Sequence, residues 1–360
     1  MFRLKLVVLC LICWMKAYSQ NSGYVDVTSE VSEYLKKHNN KDITDFLQQL
    51  IIKYDKILLP NYPLQINDNG LVLYSNKSIK FQEYSNLTLA PSNKPKYAML
   101  KLENVQNVEI INANLIGDRE NHIGNDGEWG MGIDIRGSYD VRITNANISK
   151  FWGDGIYISS NKKNNHSKGI VIENSKFYKN RRNGISIISG ENINIFNCHF
   201  SNMDGTRPMS GIDIEPNNET DVLKRISIHN ITTKNSVSGI QIGLQNLASE
   251  NIQQRVSIDI KDFKSDNDKF GIWIWHLFKT RNNSKIKKID GLIKISNIQI
   301  YNFRDQPFKT FDTNAYSFFP KIIFENVKIN PVQKKLSKTK LQQKLNIFDA
   351  SLDYFEISYP

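Results

Sequence analysis

Cysteine is nearly absent from this chain: 360 residues hold three, Cys10, Cys13 and Cys198. The first two fall in an N-terminal targeting segment. Arg3 and Lys5 supply its positive end, Leu6 to Trp14 its apolar stretch, and Ala17-Tyr18-Ser19 a small-x-small cleavage site before Gln20. Removal of residues 1–19 as a signal peptide leaves Cys198 alone, which excludes an intramolecular disulfide. Residues 20–360 then read as a single domain that must be stabilised by its own core. The apolar stretch is too short to span a bilayer, and no later segment is long and apolar enough to do so. The expected location is therefore secreted or periplasmic, in a bacterium, with no membrane association after signal removal. No His/Cys/carboxylate cluster has transition-metal spacing, and no nucleic-acid-binding module is present. Charge of one sign is in deficit: the chain has 47 Lys+Arg against 36 Asp+Glu. Without Arg3, Lys5 and Lys16 the net is +8. That favours a polyanionic partner through long-range attraction, although abundant Lys and Asn also follow from an AT-rich genome.

What the chain has in plenty is one motif, Gly-Ile-x-Ile, starting at Gly132, Gly155, Gly184, Gly211, Gly239 and Gly271. Successive starts lie 23, 29, 27, 28 and 32 residues apart, a loose period that means stacked coils. Within each copy apolar and variable residues alternate with period two, the signature of a strand buried on one face. The isoleucines are read as core and the third residues as an outward column: Asp134, Tyr157, Ser186, Asp213, Gln241 and Trp273. Two residues further on stand Arg136, Ser159, Ile188, Glu215, Gly243 and Trp275.

A second motif, apolar-x-Ile-x-Asn, interleaves with the first and ends at Asn112, Asn145, Asn174, Asn197 and Asn230, with Asp262 and Asn297 in the same place later. Asparagine tolerates left-handed φ and bonds its own backbone. Stacked amides can also bond the coils above and below. Most of the asparagine is therefore architecture. A polar lead, Asn21 to Asn40, precedes an amphipathic helix begun by Asp42, with Phe46, Leu47, Leu50 and Ile51 on one face. That helix would cover the first coil, as coil ends need caps, and Lys334 to Leu345 would close the other end.

After the helix come Leu59-Pro60-Asn61-Tyr62 and the stretch Gly70 to Phe81. This opening resembles that of the pectin-lyase-like right-handed parallel β-helix superfamily. The resemblance implies an all-β solenoid of about ten coils, with its groove along the Gly-Ile-x-Ile sheet. Asp154-Gly155-Ile156-Tyr157-Ile158 is similar to the second half of the "DDGIxI" motif of polygalacturonase-type glycoside hydrolases, which implies Asp154 as a general acid. Met131 stands before Gly132 where those enzymes place an aspartate, and Asn183 stands before Gly184 where they place a histidine.

The expected substrate is a polysaccharide or oligosaccharide, with an acidic one among the open choices. Carboxylates serve as acid and base, and aromatic rings cover apolar sugar faces. The catalytic candidates are Asp154, Asp134, Asp213 and Glu215. Asp134 and Asp154 could bring their carboxyl groups to about 6.5–9.5 Å, the inverting-hydrolase separation. Asp213 and Glu215 share one face of one strand at about 7 Å. Candidate substrate-binding residues are Arg181, Arg182, Tyr157, Trp129, Glu128, His122, Gln241 and Trp273. No cofactor is implied, beyond a calcium ion that groove carboxylates could hold. Three functions stand open: a glycoside hydrolase, a polysaccharide lyase or C5-epimerase acting on a uronate, and a non-catalytic glycan-binding or adhesive β-helix. Oligomeric state is not legible.

Overall fold

The computed structural model describes residues 23–38, 41–275, 285–310, 319–330, 339 and 352–357. The signal segment 1–19 and most of the proposed C-terminal cap, Lys334 to Leu345, lie outside the described residues.

The chain is a right-handed parallel β-helix of about nine turns. One wall is a nine-stranded sheet whose members include Lys96–Glu103, Trp129–Arg136, Ile156–Ser159, Ile185–Ile187, Ser210–Ile214, Ser238–Gly243 and Phe270–Trp275. The remaining walls belong to a seventeen-stranded sheet. All strand pairings are parallel and unshifted in the repeat: Ile133, Ile156, Ile185, Ile212, Ile240 and Ile272 stand one above another. Each is fully buried. An isoleucine so placed contributes about 1.5–3 kcal/mol of burial free energy.

The glycines of the motif have a steric cause. A Cβ on Gly155 would sit 2.9 Å from the Phe177 ring, and one on Gly184 would collide with Phe200. Those two rings stack at 4.6 Å inside the solenoid, from the wall across the core. Glycine is what lets the next turn pass over them.

The asparagine ladder is present. Asn112, Asn145, Asn174, Asn197, Asn230, Asp262, Asn297 and Asn326 all have φ between 49° and 57°. Each bonded pair points the same way: Asn145 Nδ2 donates to Asn112 at 3.2 Å, Asn230 to Asn197 at 2.6 Å, and Asn326 to Asn297 at 2.9 Å. A second ladder at another corner, Asn202, Asn235 and Asn267, was not foreseen.

At the N-terminal end the sequence expectation needs correction. The polar lead is not featureless. Val25–Asp26 pairs with Lys56–Leu59, and a helix α1, Thr28–Lys37, precedes the expected helix α2, Thr44–Lys53. Val27, Val31, Tyr34 and Leu35 carry helical spacing and pack on the core, a stripe masked by the Ser, Glu and Lys between them. Both helices open on the same Asp-x-Thr unit, in which Asp26 and Asp42 accept the backbone N–H of Thr28 and Thr44 at 2.9 Å.

Candidate functional site: an arginine ringed by carboxylates

Strand pairing places Asp134, Tyr157, Ser186, Asp213, Gln241 and Trp273 in one in-register column on the outer face of the nine-stranded sheet. The column leaves the core as expected, but it is not an open face. Ser186, Asp213 and Gln241 are fully buried, and Trp273 is 2% exposed. Turns are about 4.8 Å apart, so column side chains pack on one another, and residues of the preceding turns fold across them.

The centre of this layer is Arg182. Its Nη1 lies 3.1 Å from Asp154 Oδ2, its Nε 3.8 Å from Glu128 and its Nη2 3.9 Å from Glu215. Its Nε also donates to the Arg207 carbonyl at 3.3 Å. Burial alone would lower the guanidinium pKa, but Asp154, Asp213, Glu128 and Glu215 outweigh it and hold it raised. A charge this deeply placed is tolerable only because it is paired and hydrogen-bonded.

Asp154 lies behind the arginine, fully buried. Oδ1 accepts the Asn183 backbone N–H at 3.0 Å, and Oδ2 accepts Ser186 Oγ–H at 2.8 Å as well as Arg182. Burial raises its pKa despite these partners. Both oxygens are occupied and neither faces the groove. The residue that the DDGIxI resemblance implies as a general acid thus holds Arg182, Ser186 and the Asn183 N–H in this structure.

Asp213 accepts Asn183 Nδ2–H at 3.1 Å and Gln241 Nε2–H at 3.0 Å. Burial first, and then repulsion from Glu215, push its pKa well above the usual carboxylate range. Glu215 is raised too, again mainly by burial. Two close buried carboxyls resist ionising together, and both shifts run in that direction. Glu215 is the member that reaches solvent, with 27% of its side chain exposed, and Glu128 has 33%. They lie near two nitrogens, Nε and Nη2, of one planar guanidinium, which caps their separation at roughly 10 Å; the retaining spacing of about 5–5.5 Å and the inverting one of about 6.5–9.5 Å both fall beneath that ceiling.

The other candidates lie elsewhere. Asp134 pairs with Arg136 at 2.9 Å, and the Arg136 guanidinium covers the Tyr157 ring at 4.8 Å. Burial raises the Asp134 pKa, but the residue is not among the carboxylates around Arg182, so an Asp134–Asp154 acid–base pair is not what the geometry presents. Tyr157 is 7% exposed, its hydroxyl accepting from Asn217 Nδ2 at 3.2 Å. Arg181 lies 3.8 Å over the Trp152 ring and donates to the Gly127 carbonyl at 2.7 Å. The other face of Trp152 stacks on His122 at 4.0 Å, and His122 Nδ1 lies 2.7 Å from Asp118. This His122–Trp152–Arg181 stack pins the 118–130 loop, the loop that presents Glu128 and the 47%-exposed Trp129. Trp273 lies under Lys309, 3.9 Å from its Nζ, and so offers no open sugar platform.

Sequence reasoning undervalued Asn183, which links Asp154, Ser186 and Asp213 and also accepts the Ser210 N–H at 2.9 Å. Its place ahead of Gly184 was the available signal. Among the described residues no group of three His, Cys, Asp or Glu side chains is placed to hold a metal. Arginine occupies the point where the carboxylates converge.

The family model "Right handed beta helix region" matches residues 131–305. An uncharacterized protein of Bacillus subtilis (strain 168), YclG, is 30% identical over 167 residues, which cover 42% of this chain and 29% of that protein. The chain thus spans under a third of the curated relatives it matches. Among solved structures, a polygalacturonase from Erwinia carotovora ssp. carotovora superposes with a TM-score of 0.59 at 12% identity, covering 89% of this chain and 94% of that one. PfbA, a surface adhesin of Streptococcus pneumoniae, superposes with a TM-score of 0.61 at 12% identity, over 82% and 77%. The fold is the right-handed parallel β-helix shared with these proteins.

Proposed function

We propose that the chain is a polysaccharide-processing glycoside hydrolase whose reacting groups are Glu215 and Glu128, both beside the Arg182 guanidinium. The observation that supports this reading is the saturation of Arg182 by carboxylates. A lyase or C5-epimerase must neutralise a uronate with a free cation before its C5 proton can leave. Here the one central cation is already paired, and the locality carries excess negative charge. A neutral, hydroxyl-rich stretch of glycan fits that environment better.

In this mechanism Glu215 delivers to the glycosidic oxygen the proton it shares with Asp213. Glu128 deprotonates a water that attacks the opposite face of the sugar ring. Arg182 fixes the separation of the two carboxylates, and Asp154, Ser186 and Asn183 fix Arg182. Trp129, beside Glu128, offers an apolar surface to a sugar ring.

Incubation with a panel of neutral and acidic glycans tests the reading. New reducing ends without the ultraviolet absorbance of an unsaturated uronate support hydrolysis. That absorbance would instead establish a lyase. Glycan binding with neither product, unchanged in Glu215→Gln and Glu128→Gln, would replace the enzyme with a non-catalytic glycan-binding protein.

A further inference from the structure

The carboxylate site leaves the positive net charge of the chain unused. On another wall, where the strands follow the asparagine corners, a groove of about 920 Å³ crosses successive turns from Asn147–Ser149 to Tyr301–Asn302. Its floor includes the backbone of Phe177 and Phe200, whose rings turn inward to the core. Pairing registers set Lys176, His199, Thr232 and Lys264 in one outward column. Beside it, Tyr178, Ser201, Lys234 and Asp266 form a second, which Tyr301 continues. The groove's one carboxylate, Asp266, is neutralised by Lys234 at 3.0 Å. Lys176 and Lys264 are exposed, and neither forms an ion pair among the described residues. Tyr178 is 41% exposed.

We propose that this groove binds a strand of anionic polysaccharide, separately from the carboxylate site. Lys176 and Lys264 would bind its acidic groups, Tyr178 would cover a ring face, and hydroxyls such as Ser201 and Thr232 would meet sugar hydroxyls. Strands of this wall repeat at about 4.8 Å, close to the advance of one pyranose in an extended chain. Successive sugars therefore meet successive turns in register. Unpaired cations along a groove raise the local concentration of a polyanion. The carboxylates around Arg182 repel one, so the two walls select opposite stretches of a mixed glycan, or hold one glycan while cutting another.

Affinity electrophoresis of the full chain, in gels containing polygalacturonate or neutral hydroxyethylcellulose, tests this. The expected result is retardation by the polyuronate only, at least tenfold weaker in Lys176→Glu/Lys264→Glu and several-fold weaker in Tyr178→Ala. Glu215→Gln should be retarded like the parent, which separates this groove from the hydrolase reading. Lys176→Gln/Lys264→Gln gives the same comparison with a smaller charge change should the double reversal fail to fold. Undiminished retardation of a folded double variant would overturn the proposal. So would equal retardation by the neutral glycan, or stronger retardation by double-stranded DNA than by the polyuronate.

Discussion

The side-chain amide of Asn183 donates to Asp213 Oδ2 at 3.1 Å, across the boundary between two turns of the solenoid. The backbone N–H of the same residue holds Asp154, so one buried asparagine bonds both carboxylates, Asp154 and Asp213. Asn183→Ala removes the amide donor from Asp213 and Ser186 and leaves the Ser210 N–H without its acceptor. A buried polar group left unpaired costs about 1–3 kcal/mol. Denaturant melts should show a loss of that size, accompanied by a fall in turnover.

Glu215→Gln and Glu128→Gln should each reduce kcat by about 10²- to 10⁴-fold, the range of a lost general acid or base. KM should change little, because neither substitution removes a binding surface. Proton NMR of the fresh product should show an inverted anomeric centre; retention would mean that the second carboxylate attacks the sugar directly.

The rate should also report the raised pKa of the Asp213–Glu215 pair. Its proton is needed for leaving-group departure, so activity falls as pH rises through that raised value. The alkaline limb of kcat/KM should therefore lie above the ordinary glutamate value of about 4.3. A limb at or below it would contradict the assignment of Glu215 as acid.

Asp268 gives a prediction about stability. It accepts from Thr233 Oγ1 at 2.6 Å, Ser265 Oγ at 2.7 Å and the Ser236 N–H at 2.7 Å, yet burial raises its pKa to about 6. The folded state then holds a proton that the unfolded state has released. Its contribution to stability is full below the unfolded pKa and is lost as pH rises from about 4 to about 6, amounting to about 3 kcal/mol. Chemical unfolding of the parent against Asp268→Asn should show the parent losing ground by that amount across the window. A constant difference across those pH values would refute it.

Gly184→Ala should destabilise by about 1–3 kcal/mol, as overpacking does, because its methyl group meets the Phe200 ring. Pairing it with Phe200→Leu should recover part of the loss, a coupling that a double-mutant cycle measures directly.

Most of the architecture was legible because the β-helix repeats its physics in the sequence. A period-two strand every 23 to 32 residues and an asparagine at each corner admit few other arrangements. Helix α1 escaped because Val27, Val31, Tyr34 and Leu35 are separated by polar residues that mute a four-residue stripe. The site was legible as a neighbourhood but not as a set of roles. The period-two rule says which residues leave the core; it does not say what then covers them, and so Asp213, Gln241 and Trp273 were expected on an open face.

By itself, then, the sequence determined the solenoid, the column Asp134 to Trp273 and the ladders, since all of these follow from local alternation and nearest-turn stacking. Tertiary structure alone decided which carboxylates meet. Glu128, Asp154, Arg182 and Glu215 come from four successive turns, and their convergence depends on how far each turn leans over the strand beside it. No local pattern encodes that lean. It arises from contacts such as the His122–Trp152–Arg181 stack, whose members are 30 and 29 residues apart in sequence and about 4 Å apart in space.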